Sequence, residues 1–96
     1  MGGKNPVTIS NPYPNPIVGG SVSVLLTSSY PQSVKWYVVS SAYRKIAEGS
    51  VEVLNQTTLT WNLTDFTGRR IAPGLYYMVF QAAGAKKKVV PIIVLR

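Results

Sequence analysis

The chain has 96 residues, 46% hydrophobic and 14% charged, with no cysteine, no histidine and a formal net charge of +7. That length and apolar content suit one domain with its own core, and they exclude a disordered chain, a disulfide scaffold and any thiolate or imidazole metal site. No apolar run reaches the roughly 20 residues that a bilayer-crossing helix requires, so no membrane insertion is expected.

Residues 1–5 read as cloning or linker residues and 6–96 as a single domain, with no charged-then-apolar start of the signal-peptide kind. Val7 to Ile9 forms a first short strand. It is followed by "NPYPNPIVGG", residues 11–20, which places Pro12, Pro14 and Pro16 in alternation with polar and aromatic residues. Proline fixes φ and has no N–H to donate, so this stretch is an extended lead-in that lies on an edge or crosses between sheets.

From there the hydrophobic period is two. Val22, Val24 and Leu26 share one face of "SVSVLL", and Val34, Trp36 and Val38 share one face of "VKWYVV". Tyr43 to Ala47 reads as a fourth strand, and Leu59 with Trp61 marks a fifth. In "LYYMVFQA" Tyr76, Met78 and Phe80 alternate with Leu75, Tyr77 and Val79, as in a central strand. Lys87 to Leu95 is the last strand, and Pro91 within it implies a bulge or an edge position. The expectation is an all-β antiparallel sandwich of about seven short strands and no helix, with Trp36, Trp61, Tyr76 and Phe80 in the core and Tyr37 and Tyr77 on the opposite face.

Two turns carry recognisable chemistry. In "DFTGRR" Asp65 accepts from backbone N–H groups two or three residues on, and Gly68 supplies a positive φ. In "APG" Pro73 presets φ and Gly74 releases the chain into the strand that begins at Leu75.

Without histidine or cysteine there is no His-based triad and no Cys–His pair. The carboxylates are Glu48, Glu52 and Asp65; the first two flank an apparent turn and the third is occupied by its own, so no acid pair for glycoside hydrolysis is expected. The chain reads as non-catalytic, with no cofactor. Neither a P-loop nor a GxGxxG is present. Lys86 to Lys88 beside exposed tyrosines is the nearest approach to a nucleic-acid surface, but charges at a hairpin tip ordinarily guard a sheet edge, and no nucleic-acid partner is expected. The +7 charge suits solubility or contact with an anionic surface.

Three stretches carrying four motifs occur in order over about 80 residues: "YPNP" (13–16), "LTWNLTDFTGRRIAPGLYYMVFQA" and "KKKVVPIIVLR". Together they resemble the Ig-like domain of the flagellar hook-capping protein family and the related C-terminal sorting domains of the type IX secretion system. By position, Pro14, Asn15 and Pro16 match the lead-in, Trp61, Asp65 and Gly68 the turn, Gly74 and Tyr76 the Gly-x-Tyr that opens a long strand, and Lys87, Lys88, Val89 and Val90 the terminal segment. The chain departs from that pattern at "YVVSSAYRKI", which lacks the usual Asp and Gly and must turn by other means.

The resemblance implies an Ig-like sandwich with one of two roles. One is a secretion, sorting and surface-attachment domain of a larger bacterial protein, recognised at the outer membrane and removed by a sortase-like peptidase. The other is a structural spacer in a hook cap or multidomain surface protein. The implied partners are the outer-membrane secretion machinery or neighbouring domains, with weak homo-oligomers through an edge strand as a further expectation, and the implied location is secreted or on the cell surface by way of the periplasm. For the sorting role the recognition residues would be Lys86, Lys87, Lys88, Val89, Val90, Ile92, Val94 and Arg96, read by strand addition at an exposed edge.

Overall fold

The computed structural model describes residues 7–82 and 87–95. The strands are β1 (Thr8–Ile9), β2 (Val22–Thr27), β3 (Gln32–Ser40), β4 (Lys45–Val53), β5 (Gln56–Trp61), β6 (Gly74–Ala82) and β7 (Lys88–Val94), and the described residues contain no helix. They form a three-stranded sheet in the order β1-β2-β5 and a four-stranded sheet in the order β4-β3-β6-β7, with every strand pair antiparallel. The all-β sandwich expected from the period-two pattern is the fold found.

The core lies between the sheets and follows from the alternation. Val22, Val24 and Leu26 of β2 meet Val34 and Val38 of β3, Met78 and Phe80 of β6, and Val90, Ile92 and Val94 of β7, all buried. Fully burying one such side chain stabilises a fold by about 1.5–3 kcal/mol, so this row holds the sheets together. Tyr76 is buried too, and its hydroxyl donates to the carbonyl of Ala72 at 2.6 Å, the backward-reaching tyrosine bond seen at the corner of Ig sandwiches. Burial raises the Tyr76 phenol pKa above its ordinary value.

Three expectations change. Trp36 is only half-buried against the core, because it stands on β3 opposite Gly49 of β4, at a flank where a cleft of about 310 Å³ opens between β4 and the loop after β5. Glu48 and Glu52 do not flank a turn. Both lie within β4, which runs nine residues from Lys45, and Tyr43, expected to begin that strand, sits in the preceding turn at φ 63° and is 81% exposed. That turn is closed by Ser40, whose Oγ accepts from the N–H groups of Ala42 at 3.2 Å and Arg44 at 3.3 Å. Ser40 thus supplies the acceptor and Tyr43 the left-handed residue for which other chains use Asp and Gly.

The turn after β5 is built on Asp65 and Gly68 as expected, but the backbone N–H groups that Asp65 meets are two and four residues on. Oδ1 of Asp65 accepts from the Thr67 N–H at 2.9 Å, the Thr67 hydroxyl at 2.7 Å and the Arg69 N–H at 3.1 Å, while Gly68 adopts φ 86°. These bonds, the Thr67 hydroxyl first among them, hold the Asp65 carboxyl below the ordinary carboxylate range. Gly74, at φ 151°, opens β6.

Candidate functional site

The terminal strand named by the sequence is β7, an edge strand beside β6. Its register with β6 runs unbroken from Gly74↔Val94 to Phe80↔Lys88, so Pro91 marks an edge and no bulge. Successive side chains of a strand point to opposite faces. Val90, Ile92 and Val94 face inward at 5%, 0% and 1% exposure; Val89, Ile93 and Leu95 face out at 54%, 42% and 44%. Lys87 and Lys88 are exposed at the start of the strand, and Lys86 and Arg96 lie outside the described residues. Of the eight residues named for recognition, three therefore belong to the core.

The outer edge of β7 is not bare. The proline-rich lead-in runs along β2, with the Ser10 N–H donating to Leu25 O at 2.9 Å and Tyr13 and Ser23 bonding each other's backbone at 2.9 and 2.8 Å. It then crosses to the other sheet, as expected of a crossing segment. Ile17, fully buried, donates its N–H to Ile93 O at 2.7 Å and accepts from the Leu95 N–H at 2.8 Å, in a parallel bridge. Between these contacts Pro14 and Pro16 are exposed, each preceded by a cis peptide bond, and Asn15 stands between them.

The Asn15 side chain completes the edge. Its Nδ2 donates to Pro91 O at 3.2 Å, and its Oδ1 accepts from the Ile93 N–H at 3.0 Å. One amide thereby does what a neighbouring strand residue would do, since it offers a donor and an acceptor side by side. Pro91 has no N–H of its own, so the groups met on this edge are Pro91 O, both polar groups of Ile93, and the Leu95 N–H. Over Pro91–Leu95 the edge expected to be open to strand addition is filled, and the long edge of the larger sheet without a strand partner among the described residues is β4.

The outward face of the larger sheet brings residues of three strands together around Tyr37. Tyr37 is half-buried there, with the Lys45 ammonium 4.9 Å and the Lys87 ammonium 5.8 Å from its ring centroid. The bulge between Val38 and Val39, where Val39 pairs with Lys45, turns Lys45 onto this face. Lys45 also pairs with Glu48 at 3.1 Å, and Glu52 accepts a hydrogen bond from Ser33. The bulge was hidden from the sequence, whereas Tyr37 was placed on this face by the alternation of β3. The remaining motif residues are structural: the Trp61 indole N–H donates to Thr64 O at 3.1 Å from a buried ring, and Asp65, Gly68, Gly74 and Tyr76 shape the turns and corner already described. Among the described residues no group of three or more acidic, histidine or cysteine side chains is placed to hold a metal ion.

With this geometry in hand, the solved structures are informative where sequence families are not: no family model and no curated protein matches the chain. A domain of dimeric latent PorU from Porphyromonas gingivalis matches with a TM-score of 0.78 at 17% identity, covering 99% of this chain and 10% of that one. PorZ, an essential bacterial surface component of the type IX secretion system of the same organism, matches with a TM-score of 0.65 at 21% identity over 94% of this chain and 11% of its own. FlgD of Xanthomonas campestris, the flagellar hook-capping protein, gives 0.63 at 16% identity over 91% of this chain and 67% of its own. The fold is shared with all three. The chain spans about a tenth of the first two.

Proposed function

We propose that this chain is a non-catalytic sorting and surface-attachment module of a larger bacterial protein handled by a type IX secretion system. The observation that carries the reading is its likeness over 94% of its length to part of PorZ, a surface component of that system, of which it spans only 11%. An independent module of this size, used within much longer chains, fits a domain that addresses its parent to a location. Its chemistry fits as well: Glu48 is held by Lys45, Asp65 by its own turn, and the sequence has no histidine or cysteine. A second reading, a structural spacer, is favoured by the match to FlgD, of which the domain spans 67%.

The test places all 96 residues behind an exported fluorescent reporter in a bacterium with a working type IX system. Reporter on the cell surface, of an intact mass that has lost the domain, supports sorting. Intact fusion retained in the periplasm supports the spacer.

A further inference from the structure

The two outer faces of this sandwich differ in kind. On the three-stranded sheet the outward pairs are Ser23 with Thr60, Leu25 with Thr58 and Thr27 with Gln56, nearly all hydroxyls and amides. On the four-stranded sheet the register places a graded series of rows. Lys35 pairs with Gln81 at one end, then Tyr37 with Val79 and Val89, then Val39 with Tyr77 and Pro91, and finally Leu75 with Ile93. Val79, although it points outward, is only 5% exposed, because its neighbours on the face close over it. Leu75, Val89, Ile93 and Leu95 stay 39–54% exposed. A continuous apolar sheet face of this kind on a soluble domain marks an interaction surface.

Charge is gathered on one side of it. Lys45 and Glu48 face out from β4 across from Val39 and Tyr37, Lys87 reaches over the Tyr37 ring, Lys35 stands one row on and Glu52 beyond it across from Ser33, while the sequences of β6 and β7 contain no acid.

We propose that the outer face of the four-stranded sheet docks on a flat, apolar protein face whose carboxylates meet the lysines around Tyr37. The apolar rows supply affinity and the lysine-bearing side sets the orientation. A second copy is a poor occupant, since each chain carries +7 and would bring like charge to like. A lipid surface is a poor one too: the cations on the β3–β4 side are interleaved with Glu48 and Glu52, which an anionic headgroup layer would repel, whereas two sheet faces stack naturally at about 10 Å. This inference rests on the sorting reading, and the docking partner is a component of the secretion apparatus at the outer membrane.

The same reporter fusion tests it with two double variants, Val89→Ser with Ile93→Ser and Lys35→Glu with Lys87→Glu. Each is also purified and compared with the parent by circular dichroism and urea midpoint. The charge-reversed pair touches no core side chain, so it keeps the test valid if the serine pair does not fold. The expected result is a folded charge-reversed variant whose surface delivery falls about tenfold or more, the loss set by a mismatched charge pair at an interface. Binding of the purified parent to phosphatidylglycerol vesicles, lost in the same variants, would assign the face to a lipid surface and overturn the proposal. Delivery at parental level by both variants overturns the docking face alone. Failure of the parent to reach the surface overturns the sorting reading, and this inference with it.

Discussion

The indole of Trp36 lies across Gly49, its ring atoms 3.0 Å from where a Cβ on that residue would stand. The two are cross-strand partners on β3 and β4, and the missing side chain of one makes room for the ring of the other.

Gly49→Ala is therefore expected to destabilise the domain by about 1–3 kcal/mol, the usual cost of overpacking. Alternatively the indole swings outward, which would appear as a red shift in tryptophan emission. A double-mutant cycle with Trp36→Leu separates the two: if Gly49→Ala costs the same in both backgrounds, the clash with the indole is not the cause.

Asn15→Ala removes one donor and one acceptor from the β7 edge. Two hydrogen bonds at about 0.5–1.5 kcal/mol each predict a loss of about 1–3 kcal/mol in urea unfolding. The uncovered backbone should also promote self-association, visible as an earlier elution volume on size exclusion. Asn15→Asp should be no milder at neutral pH, since it sets a carboxylate oxygen against the carbonyl of Pro91.

Neighbouring residues of β7 should behave oppositely. Ile92→Ala empties a fully buried site and should cost about 2–5 kcal/mol, while Ile93→Ala, at 42% exposure, should cost less than about 1 kcal/mol. Equal costs would contradict the inward and outward assignment on which the docking face depends.

Asp65 predicts an acid limb. Its folded pKa lies below the ordinary value of 3.8, so its stabilising contribution is present above that value and is lost as pH falls through the lower, folded one. Asp65→Asn should be less stable at neutral pH and should lose less stability than the parent between pH 4 and pH 2. Parallel acid limbs for the two proteins, followed by urea midpoint, would contradict this.

How much of this could be read from the residues depends on the range of the interactions involved. The strands were legible because Val22, Val24 and Leu26, or Tyr76, Met78 and Phe80, alternate strictly, and that pattern depends only on neighbours. The Asp65–Gly68 turn was legible for the same reason. What failed were contacts between distant segments. The apparent turn between Glu48 and Glu52 is a strand because Gly49 lies across from Trp36 and makes room for its ring. The half-burial of Trp36 reflects the narrower sheet opposite, which no local pattern encodes. In the candidate site the edge position of Pro91 was legible, but its closure by Asn15, 76 residues away in sequence, was not. Nor was the bulge that carries Lys45 over Tyr37.

The parallel alignment of Ile17 with β7 gives the domain a mechanical character. Tension applied from the N-terminal side pulls the lead-in one way along their common axis, and tension from the C-terminal side pulls β7 the other way. The four hydrogen bonds from Asn15 and Ile17 to Pro91, Ile93 and Leu95 are then loaded together in shear instead of being opened one at a time. A chain threaded through both ends of this domain would meet its stiffest resistance at that seam.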